Sequence, residues 1–221
     1  MPDGFDAYLL AELLNHATRP VLHVSSDDLR MNRLAETIAI YAPNANILKF
    51  PAWDCLPYDR VPPRAEIVSE RMASLGALTT DSASKEDSPT LVLTTASAIL
   101  QRIPPRARII EARIEIIKGR SVDLKDVMAF LVANGFHRTE TVREPGEFAS
   151  RGDIIDLFPP GNPEPARIDL FGDDIEGLRH FDPLSQLTTE NIESLTLLPA
   201  SEILLDQTAI ANFRSSYRAH F

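Results

Sequence analysis

Cysteine occurs once in the 221 residues, as Cys55. A single thiol cannot build an internal disulfide framework, and this usage suits a reducing, cytoplasmic compartment. Glycine is also scarce, with nine in the chain. None of them opens the pattern G-x-x-x-x-G-K-[ST] or G-x-G-x-x-G, so no phosphate-cradling loop is encoded and no nucleotide cofactor is expected. No apolar run approaches the roughly 20 residues that span a bilayer, and MPDGFDAYLLAELL lacks the basic start of a secretory signal. Positive charge is short as well: Lys and Arg total 22 against 32 Asp and Glu, a formal net charge of −10. Phosphate binding needs a net positive surface, so weak or absent DNA binding is expected. One local exception runs from Gln101 to Arg120, with six basic and two acidic residues. It reads as a solvated face or a small interaction patch. The five histidines lie far apart without ligand-type spacing, so no metal site is expected.

What is present falls into two grammars. Up to about residue 107 helical and strand patterns alternate. AYLLAELLNHA is helical, RPVLHVS a buried strand, and SSDDLRMNRLAETIAIYAP a helix capped by Ser26 or Asp27, with Leu29, Leu34 and Ile38 in its apolar stripe. NILKFP and TLVLTT are further strands. Between them, RAEIVSERMASLGALTT is a helix with Val68, Met72 and Leu75 on one face. ASAILQRI is a short helix, and the polar run Asp81–Pro89 is a surface loop. Strands separated by helices imply crossovers and a parallel-sheet α/β domain.

From about residue 108 to 199 the pattern becomes α+β. RIIEARIEIIKG reads as a β-rich run. SVDLKDVMAFLVANG is an amphipathic helix with Leu124, Val127, Met128, Leu131 and Val132 on one side and Gly135 after its end. HRTETV, GDIIDLF, ARIDLF, DDIEGLRHF and ESLTLL follow as short strands with Gly and Asp turns, which predicts a mainly antiparallel sheet. The segment from residue 200 to 221 carries another helical pattern, the edge of a third unit.

Two stretches carry candidate sites. In FPAWDCLPYDRVPPRAE, Asp54 and Asp59 beside Trp53 and Tyr58 could serve as a carboxylate pair with aromatic walls, as in sugar-cleaving enzymes. A proline-stiffened loop anchored by its two aromatics is the simpler account. In ARIDLF, side chains alternate, so Ile168 and Leu170 share the core face while Arg167, Asp169 and Phe171 share the other. Arginine beside an exposed aromatic suits a recognition patch. Arg151, in GEFASRGDIIDLFPPG just before the next strand, is placed to join it.

FPAWDCLPYDRVPPRAEIVSERMASLGAL is similar to the first-domain signature of the bacterial transcription-repair coupling factors. VREPGEFASRGDIIDLFPPGNPEPARIDLFGDDIEGLRHFDPLSQLT resembles the second-domain signature that this family shares with the excision-repair protein UvrB. The likeness runs from about Arg19 to Ala200. It implies a UvrB-like module: domain 1a over residues 1–107, a degenerate nucleotide-binding-like fold; domain 2 over 108–199; and the start of domain 1b over 200–221. In that family the whole chain is an ATP-driven DNA translocase that removes stalled RNA polymerase and recruits repair proteins. ATP and Mg are used by motor domains further along, and RNA polymerase and DNA are met through those later domains. The resemblance therefore implies a non-catalytic module. The alternative is a fragment of a UvrB-type DNA-remodelling enzyme. UvrB's tyrosine-rich DNA-probing hairpin matches Phe50–Glu66, where this chain has only Tyr58, so damage probing is not carried over. Domain 2 is the family's docking surface for UvrA. Its docking arginines correspond to Arg151 and Arg167 and its docking aromatic to Phe171, all three expected to face solvent.

Overall fold

A computed structural model of the chain describes residues 4–56, 59–80, 88–204 and 207–220. It separates into two units, Met1–Ile110 and Glu111–Phe221.

The first unit holds three parallel strands, β1 (Val21–Ser25), β2 (Asn46–Phe50) and β3 (Thr90–Thr95), in the order β1-β3-β2. Parallel neighbours need a crossover, and helices supply it. Helices α1 (Phe5–His16) and α2 (Asp28–Tyr41) cover one face. There Ala7, Leu14, Met31, Leu34 and Ile38 pack against Leu91 and Leu93. Asp27 is the cap of α2, accepting the Arg30 backbone N–H at 2.8 Å. Leu29 does not join the stripe and is 63% exposed, because the buried positions follow the 31, 34, 38 spacing. Helix α3 (Ala65–Thr79) presents Met72 and Leu75 to Ile109, with Val68 and Phe50 against them.

After β3 come two short helices, α4 (Ala96–Ile99) and α5 (Arg106–Glu111). The latter corrects the β-rich reading of RIIEARIEIIKG: its first part is helical and only β4 (Ile114–Ile117) is strand. Pro104 and Pro105 explain this. A proline has its φ preset for a first helical turn, and Arg108 N–H bonds back to the Pro105 carbonyl at 3.0 Å. Two aliphatic isoleucines in a row could not reveal that start.

In the second unit β4 pairs antiparallel with β11 (Ser194–Leu197). Helix α6 (Leu124–Ala133) buries Val127 and Leu131, while Val132 lies 66% exposed at the margin of the stripe. A six-stranded mixed sheet has the order β10-β9-β8-β7-β6-β5. Its members are β5 (His137–Arg138), β6 (Glu147–Arg151), β7 (Ile154–Leu157), β8 (Ala166–Phe171), β9 (Asp174–Phe181) and β10 (Thr188–Asn191). All neighbours are antiparallel except β5 and β6. Phe148, Ile155, Leu157, Ala166, Ile168, Leu170, Ile175 and Leu178 point from this sheet into one core with α6. The period-two pattern of ARIDLF is thus realised in β8: buried Ala166, Ile168 and Leu170 alternate with Arg167, Asp169 and Phe171. A last helix, α7, covers Gln207–His220. Among the described residues no helix is long and apolar enough to cross a membrane.

Candidate functional site

The loop with Asp54 and Asp59 closes on itself. Arg64 Nε donates to Asp54 Oδ2 at 2.6 Å, and the Arg64 backbone N–H reaches Oδ1 at 3.1 Å. The Arg64 hydrogen bond holds the Asp54 carboxyl below the usual carboxylate range, the reverse of what a general acid needs. Asp59 accepts the Leu56 backbone N–H at 2.7 Å. Arg71, fully buried, lies 4.1 Å from the Phe50 ring centroid and 5.3 Å from that of Trp53, and donates to the Pro51 carbonyl. Arg71 therefore ties the start of the loop to α3. Tyr58 and most of the polar loop at 81–87 lie outside the described residues. Among the described residues no His, Cys, Asp and Glu group suited to a metal ion occurs.

The outer face of the six-stranded sheet is different. Arg151 does not merely precede a strand; it is the last residue of β6. Gly152 and Asp153 then turn the chain into β7, and Arg151 stands opposite Ile154. One hairpin further on the device repeats: Phe171 ends β8, Gly172 and Asp173 make the turn, and Phe171 stands opposite Asp174. Both turn glycines have positive φ, 59° at Gly152 and 63° at Gly172, as two-residue hairpin loops demand. Because β6 and β8 run in the same direction, both turns lie at one end of the sheet. The register continues from Arg151 through Ile154 to Asp169, and from Ala149 through Asp156 to Arg167 and Arg179. Opposed residues in an antiparallel pair share a face, so Arg151, Ile154, Asp156, Arg167, Asp169, Phe171 and Arg179 all belong to the outer one. At about 4.8 Å between strands and 3.4 Å per residue, Arg151, Arg167 and Phe171 form a triangle with sides of about 12–14 Å around Asp169 and Ile154.

Their environments differ. Phe171 is 77% exposed, and Ile154 beside it is exposed too. Arg151 is exposed and donates through Nη2 to the Glu140 carbonyl. Arg167, expected to face solvent freely, does not. Its side chain is 19% exposed, and its Nε and Nη2 donate to the two Asp156 oxygens at 2.6 and 2.9 Å. Asp156 is itself only 5% exposed. The Arg167 guanidinium also lies 5.0 Å from the Phe181 ring centroid, above the small apolar cluster of Val142, Ala149, Phe158 and Phe181. The Asp156 hydrogen bond favours its charged form and raises its pKa, against the opposing effect of burial. Arg179 meets Asp169 at 2.9–3.0 Å through Nη2. Gly177, opposite Asp169, leaves room for this pair: a Cβ there would come within 2.7 Å of Asp169 Oδ2. Alternation alone placed Arg167 and Phe171 on one face; only the register brought Arg151 to it. Alternation missed Ile154, Asp156 and Arg179, whose strands had no such registered frame in the sequence, although the two xGD turns are visible in it.

Residues 114–203, which contain all of this face, match the family model of the UvrB interaction domain. The whole chain is 32% identical over 215 residues to the transcription-repair-coupling factor of Escherichia coli (strain K12), covering 97% of this chain and 18% of that protein. The protein of the same name from Haemophilus influenzae is 33% identical over 218 residues, covering 99% and 18%. That from Rickettsia bellii is 29% identical over 214 residues, covering 97% and 19%. Over nearly its whole length the chain is similar to transcription-repair-coupling factors. It spans about a fifth of the length of these relatives. The stretch that matches the UvrB interaction domain and the first unit are both inside the aligned region.

Proposed function

We propose that this chain is a non-catalytic docking module that recruits UvrA during transcription-coupled nucleotide excision repair, and that Arg151, Arg167 and Phe171 are its contact residues. The observation that carries this reading is the outer face itself. An exposed aromatic and an exposed arginine stand at neighbouring turn tips, with a second arginine within β8, inside the stretch that matches the UvrB interaction domain. Guanidinium forks pair bidentately with carboxylates, and aromatic and arginine side chains dominate interface energetics. In the full-length protein, ATP-dependent DNA translocation with Mg, and contacts with RNA polymerase and DNA, would come from other domains. The proposed division is domain 1a, an inserted domain 2 and the start of domain 1b, in a cytoplasmic protein that reaches the nucleoid through partners.

Calorimetric titration of purified UvrA into the chain tests the reading. Saturable binding is expected, weakened tens-fold or more by Phe171→Ala, because losing an interface anchor costs about 2 kcal/mol or more. Absent binding, or unchanged affinity in a folded Arg151→Ala/Arg167→Ala/Phe171→Ala variant, would overturn it.

A further inference from the structure

Arg167 and Arg179 stand directly opposite each other on β8 and β9. Like charges in that position repel. Each is matched by a carboxylate of the same face, Asp156 for Arg167 and Asp169 for Arg179. The first pair is a fork: both Asp156 oxygens are engaged, the carboxylate is almost fully buried, and the guanidinium rests over the Phe181 ring. A guanidinium has five N–H donors, and the fork uses two, so about three remain for an incoming acceptor. Held from beneath and from the side, Arg167 has little rotamer freedom left to lose when a partner arrives. The paired charge is also locally neutral. A lone arginine attracts any polyanion, whereas a forked one rewards an acceptor placed at its remaining edge.

Resting on the UvrA-docking reading, we propose that Asp156 is a positioning residue for docking: it acts through Arg167, fixing the guanidinium for an acceptor on the partner.

The test is UvrA binding by the full chain carrying Asp156→Asn, Arg167→Ala, or both. Asparagine keeps the size of the side chain and one acceptor but loses the charged fork. Asp156→Asn is expected to weaken binding about fivefold or more, and to have no further effect when Arg167 is already alanine, the non-additivity of groups that act as one. A purely structural role would lower affinity equally in both backgrounds, and that result would overturn the proposal. So would unchanged or tighter binding by folded Asp156→Asn. Should that variant not fold, Arg167→Lys carries the same test, since lysine keeps the charge and loses the fork. Full-strength binding by Arg167→Lys would then refute the positioning role. If Arg167→Ala itself leaves affinity intact, the docking reading of Arg167 fails and this proposal falls with it. If Arg167→Ala weakens binding while Asp156→Asn does not, only the positioning role is lost.

Discussion

Phe171 and Arg167 are two positions of one strand face, yet their removal has unlike consequences for the free chain. Phe171 is 77% exposed, so Phe171→Ala should shift stability by no more than about 0.5 kcal/mol. Arg167→Ala strips the buried Asp156 of both its hydrogen bonds. An abandoned buried acceptor costs about 1–3 kcal/mol, and the residual exposure of the arginine keeps the expectation within that range. Urea unfolding of the two variants separates these outcomes, and equal midpoints would contradict the buried fork. Gly177 belongs to the same network. Its hydrogen is the only substituent that leaves the Asp169 carboxylate in place, so Gly177→Ala should displace that carboxylate from Arg179.

At the scale of elements, α6 shows how finely a stripe is cut. Leu131 is fully buried and Val132, the next residue, is 66% exposed. One residue is a 100° rotation on a helix, enough to carry a side chain from the core to its rim. Leu131→Ala should destabilise the second unit by about 2–5 kcal/mol and Val132→Ala by less than about 0.5. Thermal melts of both variants check this, and comparable losses would show that α6 packs differently. The sheet gains its register in the same local way. Two Gly-Asp turns at the ends of β6 and β8 set which residues oppose which, and so put Arg151 and Phe171 at one end. Substituting Gly152 or Gly172 would strain a positive-φ position and disturb that placement.

For the chain as a whole, charge and pH set the behaviour. With a net charge of −10, and with Arg167 and Arg179 each paired to a carboxylate, duplex DNA should bind weakly at physiological salt. Tight binding with a steep salt dependence in a fluorescence titration would show a basic face that outweighs the total. Stability should also depend on His23. Burial pushes its pKa below the ordinary 6.5, with Asp6 opposing that shift and Arg30 reinforcing it. The unfolded chain then takes up this proton at a higher pH than the folded one. Stability from His23 is therefore complete above about pH 6.5 and falls as the pH drops from there to the lowered folded value, with no further loss below it. Asp54 is shifted down instead, and its contribution is lost only at more acidic pH, so the two windows separate. Melting temperatures of wild type and His23→Gln between about pH 7.5 and 5.5 should converge as the pH falls. A constant difference would exclude the histidine as the cause.

By itself the sequence determined the α/β and α+β grammars and the alternation of β8. These depend on residues within a few positions of one another: periodicity, caps, and turn chemistry. The family signature was legible for the same reason, since it lies in two contiguous stretches. Tertiary structure alone decided the rest. Which residue of β7 lies beside Arg167 depends on cross-strand register, and that choice turned an expected solvent-facing arginine into one forked onto buried Asp156. Likewise the 20-residue reach from Arg71 back to Pro51 organised a loop whose two carboxylates could also be read as a catalytic pair. Local patterns determine which face a side chain takes; only the packed sheet determines which partner waits for it there.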